Sequence, residues 1–398
     1  MLKRYRYRAY PTAPQRENLA RLFGCVRVVY NDAVMLRVNA RKAGLPYPTR
    51  GEVSRALTLS KQTSEREWLK EVSSVALQQA LGDVERAFKN FFDSRTGKRK
   101  GQKAGAPKLK RRGNRQSARF TSNAMFRITE TTHGVGFVTL QKIGRVRFNL
   151  SRTLPSPPTS VTIIKDPDGR YYVSFVVDVP GPKGVPETTT VAGVDFGLAH
   201  LAVIARSNGD RAKADNPRWM RSRERQLADA QRTMDRKELR SANWHKARLK
   251  VVIAHRKMRE ARTDHHRKLA LKLVRENQAV CLEGLSVTGM IKTTVGKSVQ
   301  DAGWSTLARL VTQKAAEYGR DVVVIDRFAP TTQTCSVCGV KDGPKPLKVR
   351  IWECGSCGTL LDRDYNAAVN IMVAAGLAET LNACGGDVRR QLAAADPR

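Results

Sequence analysis

The chain has 398 residues, 41% of them hydrophobic, enough for two or three domains with real cores and too many for one simple core. No run approaches the roughly eighteen apolar residues that a membrane helix needs, so no membrane-spanning helix is expected. Lys and Arg number 72 against 36 Asp and Glu, a net charge of +36 that would force the folded chain apart unless a polyanion neutralised it. Nucleic acid is therefore the expected partner; an anionic membrane would require a concentrated basic amphipathic segment or a lipidation motif, and neither is found.

In chain order, RYRAYPT reads as a short strand ending at a proline. PQRENLARLFGCVRVVYNDAV then places Leu19, Leu22, Phe23, Val26 and Tyr30 on one helical face. In SSVALQQALGDVERAFKNFF the apolar residues Leu77, Leu81, Val84, Phe88 and Phe91 recur at steps of four and three, a second amphipathic helix. Such stripes are core faces. Residues 94–116, SRTGKRKGQKAGAPKLKRRGNRQ, are broken by glycines and a proline and carry Lys98, Arg99, Lys100, Lys103, Lys108, Lys110, Arg111 and Arg112. Charge runs of this kind are often only solvated; in so basic a chain a phosphate-contacting loop is the better reading.

Between Phe120 and Val179 the period changes to alternation, with Asp166, Pro167, Asp168 and Gly169 as a hairpin turn. A small β-barrel that includes the N-terminal strand is expected. GPKGVPETTT is a linker, and a third region opens at Val191 with VAGVDFGLAHLAVIA, two apolar strand halves around a turn. A charged stretch of about 211–277 reads as a basic helical hairpin packed on the core and facing nucleic acid. QAVCLEG and RDVVVID follow as strands, and strands separated by helices imply an α/β layer. His265 and His266 lie in the charged stretch and are tempting as acid/base residues, but nothing places them near the carboxylates Asp195, Glu283 and Asp364.

Near the C-terminus Cys335-x2-Cys338 and Cys354-x2-Cys357 are two thiolate knuckles at the spacing of tetrahedral zinc, with Gly339, Gly355 and Gly358 relaxing the turns. Two disulfides would need an oxidising compartment, yet no apolar leader follows MLKRYRYRAY, so a cytoplasmic location is expected. Four thiolates close the coordination shell, so this zinc should be structural. Cys25, Cys281 and Cys384 are scattered and read as buried or incidental. Three carboxylates at the edges of core elements, Asp195 in GVDFG, Glu283 in CLEGL and Asp364 in DRDYNAAVN, fit a converging site for magnesium or manganese, because hard oxygen donors suit those ions. Such a site can cleave phosphodiesters.

The set GVDFG, LEGL, the paired knuckles and DRDYNAAVNI, in this order, resembles the transposon-encoded TnpB nucleases and their relatives, the compact type V CRISPR effectors. RYRAYPTAPQ and NFFDSRTGKRKGQKAGAPKLKRR extend the resemblance to nearly the whole chain. It implies a multidomain α+β protein: a first wedge strand (1–12), a helical recognition domain with the basic loop (13–118), a wedge β-barrel (119–182), a RuvC-like nuclease of RNase H fold (191–330), a zinc-ribbon insert (331–360) and a last RuvC segment with a C-terminal tail (361–398). It also implies a monomer that holds a guide RNA and its double-stranded DNA target. The family's three acidic residues fall on Asp195, Glu283 and Asp364, with Asp362 the near alternative to the last. Three activities compete: an RNA-guided DNA endonuclease, whether transposon or CRISPR in origin; a guided DNA-binding repressor, against which the intact carboxylates argue; and a DNA transposase, which leaves the N-terminal strand, basic loop and late zinc ribbon unexplained.

Overall fold

A computed structural model describes residues 1–99, 103–130, 134–182, 184–346 and 348–377; Lys100 and Cys384 lie outside them. The chain divides into two compact units, Met1–Pro180 and Gly181–Arg398.

The first unit starts with strand β1 (Leu2–Tyr10) and helix α1 (Ala13–Lys42). Thr12 begins α1 with a capping box, its hydroxyl accepting from the Gln15 N–H while the Gln15 carboxamide accepts from the Thr12 N–H. Helices α2 (Arg50–Ser60), boxed in the same way by Thr49 and Glu52, and α3 (Ser74–Arg95) follow. Six more strands complete the unit: β2 (Gln116–Thr121), β3 (Arg127–Glu130), β4 (Val135–Leu140), β5 (Gly144–Asn149), β6 (Pro158–Lys165) and β7 (Tyr171–Asp178). They join β1 in one seven-stranded sheet of order β2-β6-β7-β1-β5-β4-β3. The expected turn at Asp166–Gly169 is present, closed by Asp166 N–H to Arg170 O at 2.8 Å. One continuous core joins the sheet to α1 and α3. At its centre the rings of Tyr7, Phe148 and Phe175 lie 5.4 to 5.9 Å apart. Each fully buried side chain of this size contributes about 1.5–3 kcal/mol.

The second unit is built on a five-stranded sheet of order β10-β9-β8-β11-β12: β8 (Val191–Asp195), β9 (His200–Arg206), β10 (Arg211–Asp215), β11 (Ala279–Glu283) and β12 (Asp321–Ile325). β8, β9 and β10 pair antiparallel, whereas β11 runs parallel to both β8 and β12. Residues Arg211–Asp215, expected as the beginning of the basic hairpin, are instead the edge strand β10. Their charges alternate with half-buried alanines, the period-2 signature of a strand with one wet face. The hairpin itself follows α4 (Trp219–Ser222) and consists of α5 (Glu224–Asp235) and the 35-residue α6 (Ala242–Glu276), which pack on each other. After β11 come α7 (Val287–Met290), α8 (Gly296–Ala302) and α9 (Trp304–Tyr318). A small hairpin, β13 (Ile351–Glu353) with β14 (Leu360–Asp362), leads into α10 (Arg363–Ala374).

Alternation along β8 and β11 decides which helix covers which face. Ala192, Val194, Val280 and Leu282 point into a core with residues of α6, α8 and α9. Val191, Ala279 and Cys281 point to the other face, beneath Ala368, Val369, Ile371 and Met372 of α10. Cys281 is fully buried there, which matches the reading of it as a small core residue. Gly193 is the point of closest approach: a Cβ on it would lie 1.9 Å from the Ala368 carbonyl oxygen. Only glycine lets α10 rest at this depth. Among the described residues no helix is long and apolar enough to cross a membrane.

Candidate active site and four-cysteine cluster

The same alternation sets the acidic residues. Asp195 ends β8 and shares a face with Val191 and Gly193; Glu283 ends β11 and shares a face with Ala279 and Cys281. Leu282 pairs with Val194 and Cys281 with Gly193, so the two carboxylates stand level, on neighbouring parallel strands, on the face covered by α10. Asp364 lies in the first turn of that helix. Burial, followed by the negative charges of Glu283 and Asp364, pushes the Asp195 carboxyl up to about 7, against the opposing charges of Arg363 and Arg350. Burial also raises Glu283. Three groups expected from widely separated sequence thus share one electrostatic environment.

Asp362, the near alternative, is engaged in a different way. Its Oδ1 accepts from the N–H groups of Asp364 and Tyr365, both at 3.0 Å, which makes it the N-cap of α10; its Oδ2 meets the Lys213 ammonium at 2.9 Å. Against the upward pull of burial, these partners hold its carboxyl below the usual range. Lys213 belongs to β10, the strand that the sequence reading assigned to the hairpin, and its ammonium also sits 4.7 Å from the Tyr365 ring. Asp364 has another partner: Arg350, between the two knuckles, donates to its Oδ1 at 3.2 Å. No motif points to Arg350 in the sequence, because its role depends on chain closure: the Arg363 N–H donates to the Arg350 carbonyl at 2.8 Å.

The four cysteines form the tightest cluster. Among the described residues they are the one group of three or more His, Cys, Asp or Glu gathered closely enough to enclose an ion, with all sulfurs within 4.8 Å of one another. Cys335 Sγ lies 3.7 Å from Cys357 Sγ, and Cys338 Sγ lies 3.7 Å from Cys354 Sγ. A tetrahedron with Zn–S bonds of about 2.3 Å has edges of about 3.8 Å, so the sulfurs are spaced for zinc. Each knuckle is a turn closed by a glycine N–H, Gly339 to Cys335 O at 2.9 Å and Gly358 to Cys354 O at 2.8 Å, with φ of 76° and 69°.

Other expected residues are dispersed. Lys98, Arg99, Lys103, Lys108, Arg111 and Arg112 are exposed in the first unit. Lys110 differs: its backbone is bracketed by Asn31 and its ammonium sits 3.9 Å from the Tyr30 ring, half-buried. His266 is buried against α8, on the sheet face opposite to Asp195, with Arg262 donating to the Gln300 carbonyl beside it.

The family described as a probable transposase (OrfB of IS605) matches residues 174–294. A Cas12f1-like TNB domain matches 304–371 and a helix-turn-helix domain matches 1–45. A protein of Streptomyces pristinaespiralis is 41% identical over 393 residues, covering 97% of this chain and 92% of its own; InsQ of Escherichia coli K12 is 28% identical, with 96% and 94% covered. Both carry the name "Putative RNA-guided DNA endonuclease". Among solved structures, the Cas12f1–sgRNA–target DNA complex superposes with a TM-score of 0.55 at 12% identity, covering 93% of this chain and 98% of that one. The mini-RNA-guided endonuclease CRISPR-Cas_phi3 gives 0.58 at 9% identity, with 94% and 92% covered. These two share the multidomain α+β fold. With a relative of such identity over almost the full length of both chains, the protein belongs to the TnpB family, the OrfB group of IS605 elements.

Proposed function

We propose that this chain is an RNA-guided DNA endonuclease, with Asp195, Glu283 and Asp364 as the groups that hold its catalytic ions. The observation that carries the reading is the level placement of Asp195 and Glu283 at the ends of adjacent parallel strands, beneath the helix that starts with Asp364. A sheet whose first three strands are antiparallel and whose fourth and fifth run parallel to the first, in order 3-2-1-4-5, supports a RuvC-like nuclease of RNase H fold. The seven-stranded sheet around one core supports a wedge barrel in the first unit.

Carboxylates are acceptor-only when ionised and suit magnesium or manganese. Burial first, and then the negative charges of Glu283 and Asp364, raise the Asp195 carboxyl, and a dication bound there would oppose both by favouring the ionised form. Bound divalent ions would stabilise charge on the phosphoryl oxygens and activate the attacking water. The chain's own contribution is placement: β8 and β11 fix two donors in register, α10 brings the third, and Asp362 fixes the first turn of α10 by capping it. The cysteine cluster, closed by four thiolates, has a structural role. Sequence choice comes from the RNA, since a +36 chain whose described residues form no array of groove-reading modules can grip an A-form heteroduplex by its backbone and leave the reading to base pairing.

The test is cleavage by protein co-expressed with RNA from its own locus. Changing the guide portion should redirect the cut; Asp195→Ala, Glu283→Ala or Asp364→Ala should slow it at least about a thousandfold with target binding retained. RNA-free protein that still cuts at one fixed site would favour the transposase reading, and carboxylate variants that cut normally would overturn the site.

A further inference from the structure

On α10, two residues beyond Asp364 and again four residues later, stand Asn366 and Asn370, which the proposed site does not use. Both are buried, at 2% and 8% exposure, and both face the segment that leads into the first knuckle. The Asn366 Oδ1 accepts from the Ser336 N–H at 2.8 Å, and Ser336 lies between Cys335 and Cys338. The Asn366 Nδ2 donates to the carbonyls of Thr331 (3.3 Å) and Thr334 (2.8 Å); the Asn370 Nδ2 donates to the same two carbonyls at 2.7 and 2.6 Å. Thr331 and Ser336 are themselves buried.

Five hydrogen bonds, three of them buried and two partly buried, from two side chains to three backbone groups make a specific joint. Carboxamides do this well because each offers both donors and an acceptor, and a buried group left without its partner costs about 1–3 kcal/mol. The joint has a counterpart on the other side of the helix start. Arg350 pairs with Asp364, and the Arg363 guanidinium donates to the Pro346 carbonyl at 2.9 Å. The start of α10 is therefore held between the chain entering the first knuckle and the chain entering the second.

We infer that Asn366 and Asn370 are positioning residues: they fasten the cysteine cluster to α10, so that the metal-held knuckle fixes where Asp364 stands. The inference rests on the nuclease reading. It makes the zinc site more than a local fold element, since closure of the knuckle becomes a condition for the third carboxylate to be in place.

The experiment is a double-mutant cycle on the guide-loaded full chain, measuring single-turnover cleavage. Asn366→Ala and Asn370→Ala should each slow cutting about ten- to a hundredfold, the range for groups that orient a ligand from behind, and should raise the magnesium concentration for half-maximal rate. Zinc content should stay at one per chain, target affinity should be unchanged, and the cobalt-substituted protein should keep its thiolate charge-transfer band. Combined with Cys357→Ser, which opens the cluster, the asparagine changes should add little further loss, because both act through one joint. Wild-type rates and magnesium dependence in the asparagine variants would overturn the proposal. So would loss of zinc from them, or effects that multiply with Cys357→Ser. If the alanine variants do not fold, Asn370→Ser serves the same cycle. Asp195→Ala separates the two ideas: if it still cuts, the site reading fails; if it is inactive while the asparagine variants cut normally, only the joint fails.

Discussion

The two polar clusters of the second unit are assembled by opposite means. The four thiols come from Cys335 to Cys357, and two glycine-closed turns bring each pair together. The three carboxylates come from β8, β11 and α10, and nothing local brings them near one another. Their meeting depends on a parallel register, on side-chain alternation and on one helix lying deep enough on the sheet. A cluster of the first kind is built within one short stretch and can be opened by changing a single residue of that stretch. A cluster of the second kind can be disabled from a distance with all of its members intact.

Opening the local cluster should have the largest effect. Cys354→Ser should abolish zinc binding, because metal affinity in such a site is folding free energy. Hydrogen exchange should then speed up through residues 331–362, while β8, β9 and β11 keep their protection. Loss of protection throughout the sheet would break the comparison, since the ribbon would then be supporting the whole unit.

The distributed cluster should yield to a single methyl. Gly193→Ala puts a Cβ against the Ala368 carbonyl, so α10 must move outward. Cleavage should fall at least about a hundredfold, the scale of a 1 Å misplacement, while binding of guide and target persists. A variant that cuts like the parent protein would mean that the depth of α10 does not set the position of Asp364.

The smallest effect sharpens the contrast with a buried titrating group that has no part in either cluster. Burial first, then the charges of Arg262 and His265, bring the His266 imidazole down to about 4 from 6.5. A depressed histidine gives stability that is fully present above its unfolded value and is lost as pH falls from about 6.5 through 4. In denaturant titrations the parent protein should lose about 1–3 kcal/mol relative to His266→Gln over that window, a difference in which the raised Asp195 and Glu283 carboxyls, common to both proteins, cancel. Cleavage by His266→Gln at neutral pH should match the parent within about threefold, as expected for a residue on the opposite sheet face.

How much of this could be read beforehand follows the same division. Cys-x2-Cys pairs are local and were legible, as were the strand halves around Asp195 and the apolar faces of α1 and α3. The DRDYNAAVN stretch identified the helix but not which aspartate caps it, because the Asp362 cap is a matter of backbone direction. From sequence alone β10 merges with the hairpin, because RAKAD carries charge on its wet face and only alanine on the dry one. α2 went unread, since its buried side is only Val53 and Leu57. Arg350, Asn366 and Asn370 could not be assigned roles, because their partners are side chains or carbonyls that only tertiary closure supplies. The Gly193 contact is likewise invisible: a glycine in a strand can mark a bulge, a bend or a close approach, and the helix that decides lies far along the chain.

The close approach at Gly193 also bears on how inactive members of such a lineage should be recognised. A guided protein that stops cutting and becomes a repressor is ordinarily sought by looking for a missing acidic residue. Here the helix depth is set by a buried glycine beneath the Ala368 carbonyl, so on the proposed reading one added carbon there would silence the chemistry and leave every diagnostic carboxylate in the sequence. Catalogues sorted on the acidic residues alone would count that chain as a nuclease. For the proposed site, the spacing between a strand and the helix above it belongs to the signature, and it is written in the residue that has no side chain.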